Sequence, residues 1–276
     1  MSKPNESSPL STFVANAASV LCCVCLAATY LFAGYAACAA QPTTRLLAQN
    51  TCSADASPYT YDQLVQLAVA TRDYTVEGHD GLLSDAKELL ASRVVSAAQE
   101  ASSEGSQKAS AWTRVTNSVN LSSEDDSLQT MYAMASVSDA YGLDEDAMSH
   151  LEDCNALITK AVPVFMGIAI VALILAVMLR NNKKLLGRAL SWGGTLVLTP
   201  LFFCGIWSIY NFDAFFAFFH EVLFPQGNWT FSANSLLISM LPEGFWMGMG
   251  ALWLAVTATA CIISIVLGGR MKRHAA

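Results

Sequence analysis

Four stretches of this chain, Ser19 to Ala40, Val162 to Leu179, Ala189 to Tyr210 and Met247 to Leu267, run almost without charge. Each is roughly 18 to 22 residues long, enough to cross about 30 Å of hydrocarbon as a helix. In lipid, only helices and closed barrels satisfy every backbone polar group internally. Hydrophobic residues make up 54% of the 276, the mean hydropathy is +0.40 and 13% are charged, where a soluble domain carries nearer a quarter. The expected fold class is an all-α membrane protein, with four transmembrane helices and a helical extracytoplasmic insertion between the first and second.

Basic residues near the span ends set the expected orientation. Arg180, Lys183, Lys184 and Arg188 fill the second connection, Arg270, Lys272 and Arg273 follow the last span, and Lys3 precedes the first. The positive-inside rule places all three groups in the cytoplasm. The expected order is a cytoplasmic tail (1–11), span (12–40), outer helical region (41–160), span (161–179), basic inner loop (180–188), span (189–210), outer aromatic loop (211–246), span (247–268) and inner tail (269–276). The outer connections are acidic, with Glu124, Asp125, Asp126, Asp144, Glu145 and Asp146 clustered, so the net charge of -7 lies mostly outside. That sign argues against nucleic acid as a partner.

The first span could imitate a signal peptide, since Ala36-Ala37-Cys38-Ala39-Ala40 resembles a cleavage site, but its apolar run is long for that role. Cys22, Cys23, Cys25 and Cys38 lie within it, where a thiol behaves as a small hydrophobe. Cys52 and Cys154 are the one pair expected outside, and a disulfide between them is open at this stage. No Cys/His spacing suggests zinc, and neither a phosphate-binding glycine loop nor a GxSxG or HExxH motif is present.

Within the outer region, Leu64, Leu67, Ala68 and Val69 predict a helix over Tyr59 to Tyr74, after the start signal Ser57-Pro58. Gly78-His79-Asp80-Gly81 predicts a turn, and Leu82 to Gln99 a second amphipathic helix. Ala101 to Asp126, rich in Ser, Glu and Gln, reads as a flexible acidic loop without chemistry. Tyr141-Gly142-Leu143-Asp144 makes a break and cap before a helix over Glu145 to Ile158, which carries His150 and Asp153 on one face. An imidazole and carboxylate three residues apart are usually an ordinary solvated pair, but the carboxylate could instead hold one tautomer of the imidazole. In the aromatic loop, His220 sits within Phe212-Asp213-Ala214-Phe215-Phe216-Ala217-Phe218-Phe219-His220-Glu221. Taken alone, such a run is an interfacial belt with an incidental histidine. Two imidazoles just outside the same membrane face suggest chemistry on a lipid or lipid-linked substrate.

These blocks resemble a known family. The run from Tyr141 to Asp153, ending His150-Leu151-Glu152-Asp153, is similar to the HLxD-type motif of the bacterial lipoprotein intramolecular transacylases. Phe219-His220-Glu221-Val222-Leu223-Phe224, then Trp229, Leu236-Leu237-Ile238 and Leu241-Pro242-Glu243-Gly244-Phe245-Trp246, resembles that family's second block. Glu152 inside the first motif, Cys154 after it and the long Ala101 to Asp126 stretch depart from the family pattern.

The resemblance implies a multi-pass enzyme of the bacterial cell membrane, with its active site facing the extracytoplasmic side. The reaction implied moves the sn-2 acyl chain of a diacylglyceryl lipoprotein to the α-amino group of its N-terminal cysteine, giving the lyso form. It implies diacylated lipoproteins and membrane lipids as partners, and neither cofactor nor metal. His150 and His220 would be catalytic, the former as general base and the latter at the oxyanion, or the reverse; Asp153, Glu221, Trp229 and Glu243 would support them. An α-amino group near pKa 7.7 to 8.0 suits a neutral imidazole base. The substrate supplies its own nucleophile, which agrees with the missing Ser or Cys motif. A non-catalytic protein binding lipoproteins or lipids would need the same aromatic groove. A transporter is disfavoured, because the spans hold essentially no ionisable side chain.

Overall fold

A computed structural model of the chain describes residues 9–55, 57–78, 82–103, 113, 115, 117, 119 and 127–274. Among these residues every regular element is a helix. They are α1 (Pro9–Cys38), α2 (Gln41–Thr51), α3 (Tyr61–Val76), α4 (Leu83–Ser103), α5 (Ser127–Val137), α6 (Glu145–Leu179), α7 (Lys183–Tyr210), α8 (Phe212–Leu223), α9 (Leu236–Met240) and α10 (Glu243–Arg273). Four of them, α1, α6, α7 and α10, are long and apolar enough to cross a membrane.

The chain divides into two compact units. The first comprises Met1–Ala37, Ala161–Asn211 and Leu252–Ala276. Its helices meet through small residues and hydroxyl groups. A Cβ added to Gly268 would stand 2.5 Å from the Gly187 carbonyl oxygen, and one added to Gly194 would stand 2.7 Å from that of Cys261. The hydroxyls of Ser19 and Ser264 donate across helices to the carbonyls of Leu185 and Leu190, at 2.9 and 3.0 Å. Close backbone approach and interhelical hydrogen bonds are what hold helices together where lipid removes the hydrophobic drive between them. Leu173, Met178 and Phe202 project outward at 65% exposure or more, as lipid-facing side chains do.

The second unit comprises Cys38–Lys160 and Phe212–Ala251 and has its own hydrophobic core. Tyr59, Leu64, Leu67, Tyr74, Leu90, Val94, Met131, Met134, Leu143, Met148, Leu236 and Met240 are fully buried there. Its helix ends are capped by side chains. Thr60 and Gln63 form a reciprocal capping box at the start of α3, and Asp144 Oδ1 accepts from the Ala147 N–H at 2.8 Å to start α6. Asn155 Nδ2 donates to the carbonyls of Tyr74 and Thr75 at the far end of α3, both at 3.2 Å. These bonds satisfy helix-end groups that have no partner within the helix.

Several local expectations change. The helix from Glu145 and the span from Ala161 are one unbroken α6 of 35 residues, with Pro163 inside it. Proline costs one helical hydrogen bond, yet flanking apolar residues carry the helix through, as in other membrane helices. At 1.5 Å per residue α6 is about 52 Å long, well beyond the hydrocarbon thickness. The stretch 211–246 is not simply a loop: its aromatic run is α8, which buries His220 and leaves Phe218, Phe219 and Val222 exposed. Cys52 and Cys154 are both free thiols, and Cys52 Sγ is instead 3.2 Å from the Met240 carbonyl. Most of Ala101 to Asp126 lies outside the described residues, but Ala101 and Val115 are buried in the core, unlike a purely solvated loop. His79, expected in a turn, also lies outside the described residues.

Candidate active site

All six candidate site residues belong to the second unit. Helix α6 presents Ser149, His150, Asp153 and Cys154 within little more than one turn. Helix α8 presents His220, and the segment after it supplies Phe224, Gln226, Asn228, Trp229 and Phe231.

The two imidazoles meet. Their ring centroids are 5.9 Å apart, although 70 residues separate them in sequence. Each is nearly enclosed, at 8% and 7% exposure for His150 and His220. Aromatic rings form the enclosure. Phe224 stands edge-on to His150 at 4.8 Å, and Phe231 lies at 5.9 Å. Phe216 and Trp229 flank His220 at 4.0 and 5.1 Å.

Hydrogen bonding fixes the tautomer of His220. Its Nδ1 lies 2.9 Å from the Phe216 carbonyl oxygen, one helical turn back. A carbonyl only accepts, so Nδ1 carries the hydrogen and Nε2 presents a lone pair. His150 Nδ1 has no such hydrogen bond among the described residues. Asp153 Oδ2 accepts from Gln226 Nε2 at 2.7 Å and from Asn228 Nδ2 at 3.0 Å. With its amide nitrogen held there, Asn228 turns its Oδ1 inward. That oxygen and His150 Nδ1 are both buried without an aligned partner, while the Asn228 side chain interacts with the imidazole. On the other side of the ring, Cys154 Sγ is 3.7 Å from His150 Nε2.

Burial also sets the charge state. Loss of solvent, reinforced by the neighbouring His220, pushes His150 from 6.5 down to about 4. Burial likewise holds His220 below its ordinary value, against the opposing pull of the Phe216 carbonyl. Burial and the Asp153 carboxylate push the Cys154 thiol up to about 12, so it stays protonated and un-nucleophilic at neutral pH. The site therefore offers two neutral imidazoles and no thiolate.

The structure thus brings together His150, His220 and Trp229, while the Asp153 carboxylate is hydrogen-bonded to Gln226 and Asn228 and acts on His150 through its charge. Glu221 and Glu243 are exposed, and neither makes an ion pair or hydrogen bond among the described residues. Glu152, the departure inside the first motif, pairs with Lys87 at 2.5 Å. Sequence reasoning missed Asn228 and Gln226, whose only signal was adjacency to Trp229.

Comparison with known proteins bears on the same segment. The family model for the lipoprotein intramolecular transacylase Lit matches residues 111–246, which include both imidazoles and every side chain around them. Over this segment, just under half of its length, the chain is similar to the Lit family. The chain is also similar to an uncharacterized protein of Aquifex aeolicus (strain VF5), 26% identical over 122 residues. The alignment covers 44% of this chain and 54% of that protein, so the chain spans about half the length of the curated relative it matches. No solved structure matches.

Proposed function

We propose that this chain performs an intramolecular acyl shift at the outer leaflet, from the sn-2 oxygen of a diacylglyceryl lipoprotein to the α-amino group of its N-terminal cysteine. The observation that carries this reading is the enclosed pair of neutral imidazoles inside the segment matched by the Lit family. Neutral imidazole is the form needed to free an amine, and an aromatic enclosure suits a lipid-bearing substrate.

In this reading His220, with its free Nε2, takes a proton from the substrate ammonium and then donates that N–H to the developing oxyanion. The amine nitrogen attacks the ester carbon, forming the C–N bond. His150 takes the second proton from nitrogen in the tetrahedral intermediate and delivers it to the departing sn-2 oxygen as the C–O bond breaks. The products are an amide and an alcohol, and the proton left on His220 returns to water. The low pKa of His150 suits this part, since its imidazolium is a strong acid beside an alkoxide. Asp153 and Asn228 orient the ring. Holding ester and amine in one molecule supplies much of the rate by effective molarity.

Mass spectrometry of a reporter lipoprotein's N-terminus, from cells with and without this protein, tests the reading. The lyso form with an N-acylated cysteine should appear only with the protein. An unchanged diacylglyceryl cysteine would sink it. The outer location rests on the Lys/Arg distribution. A cysteine at exposed Ser136 should react with an impermeant maleimide in intact cells, and labelling only after permeabilisation would reverse the topology.

A further inference from the structure

The first unit holds a groove that has no part in the chemistry above. It has a volume of about 560 Å³ and runs between α7 and α10. Its upper wall is apolar, made by Trp192, Ile265 and Val266, and its lower rim is cationic, made by Arg270, Lys272 and Arg273. Four to eight residues along α10 separate wall from rim, about 6 to 12 Å of helix rise. Beside the groove the two backbones nearly touch at Gly187 and Gly268, which makes it a fixed cleft rather than a gap between mobile side chains.

The rim charges have no protein counter-charge. Arg270, Lys272 and Arg273 enter no ion pair among the described residues, and the described residues of this unit include no Asp or Glu at all. The positive-inside rule accounts for basic residues at this end of the spans. It does not account for their convergence on a cavity whose other wall is apolar and adjoins the hydrocarbon. A phosphate beneath an acyl chain matches both halves, and basic pockets between membrane helices are suited to anionic headgroups.

We propose that this groove binds a glycerophospholipid with an anionic headgroup, its phosphate among Arg270, Lys272 and Arg273 and one acyl chain along Trp192, Ile265 and Val266. The second basic cluster, Arg180, Lys183 and Lys184, provides an internal comparison of equal charge outside the groove.

Native mass spectrometry of the full chain in mild detergent, with phosphatidylglycerol or phosphatidylcholine added, tests it. Phosphatidylglycerol should be retained on the order of 10-fold better than phosphatidylcholine. The triple variant Arg270→Gln, Lys272→Gln, Arg273→Gln should lose that preference, while Arg180→Gln, Lys183→Gln, Lys184→Gln should keep most of it. Val266→Trp leaves every charge in place, faces outward and fills the groove, so it should lose phosphatidylglycerol as well. Equal retention of the two lipids, equal loss from the two triple variants, or full retention by Val266→Trp would each overturn the proposal. Displacement of phosphatidylglycerol by millimolar inorganic phosphate would mark a free-anion site and overturn the lipid assignment.

Discussion

The two units of this chain are opposites in charge and in core. The first carries Lys3, Arg180, Lys183, Lys184, Arg188, Arg270, Lys272 and Arg273 against Glu6 alone, whereas the second carries the remaining twenty-one acidic residues against seven basic ones. The first packs glycine against backbone and hydroxyl against carbonyl, and the second packs Leu, Met and Tyr behind capped helices. The difference follows from solvent. In lipid, apolar side chains gain nothing by leaving their surroundings, so contact depends on close approach; in water, burial of the same side chains is the main favourable term. Both candidate imidazoles belong to the second unit, where aromatic rings leave them almost no exposure. Charge can be withheld there and a proton held at a chosen nitrogen.

The largest expected effects fall on that pocket. His150→Gln and His220→Gln should each lower acyl transfer on the order of 10²-fold or more, with insertion unchanged, because neither position lies in the four apolar spans expected at 12–40, 161–179, 189–210 and 247–268. The double variant should lose little beyond the worse single one, since groups acting as a unit are not additive. Full additivity would mean that the two rings work independently.

Asn228→Ala should cost less, on the order of 10-fold, as loss of an orienting partner does. Asn228 acts on His150 and not on substrate, so its effect should fall on turnover and on the acid side of the pH profile. Asn228→Asp, which sets a carboxylate against the ring, should shift that limb to higher pH. A pH profile unchanged by both substitutions would remove Asn228 from the scheme.

In the first unit Gly268→Ala tests the packing side of the comparison. Its new Cβ would meet backbone atoms of Gly187 and Ser191 at 2.5 and 2.8 Å, and backbone cannot swing aside. A destabilisation of about 1 to 3 kcal/mol is expected, read as a lower midpoint of unfolding in detergent. The loss should be the same at pH 7 and pH 5, because no titrating group is involved.

The second unit should respond to pH in the opposite way. Both imidazoles have folded pKa values below 6.5, that of His150 about 4, so the unfolded chain binds more protons across that window. Stability therefore falls as pH drops from about 6.5 toward 4, and is fully present above it. Thermal unfolding at pH 7 and 4.5 measures this, and replacing both histidines by Gln should flatten the difference. Glu221→Gln and Glu243→Gln, exposed and unpaired, should change transfer by less than about 2-fold. A larger loss would restore the supporting roles implied by the family resemblance.

Sequence alone determined the four spans, because a run of about 20 apolar residues is a local property that only a bilayer or a buried helix can accommodate. It also determined the helices around Leu64 and Leu90 and the start of α6 at Asp144, since periodicity and caps act within a few residues. It singled out His150 and His220 through short motifs. Only the tertiary structure decided what those rings touch. The 5.9 Å approach joins helices far apart in the chain, the tautomer of His220 depends on α8 being helical rather than a loop, and the Asp153 carboxylate is taken by Gln226 and Asn228 instead of the histidine on its own helix face. Pairing across such separations leaves no periodic trace in sequence. Burial, which sets the charge on both imidazoles, exists only once the surrounding aromatic rings have closed.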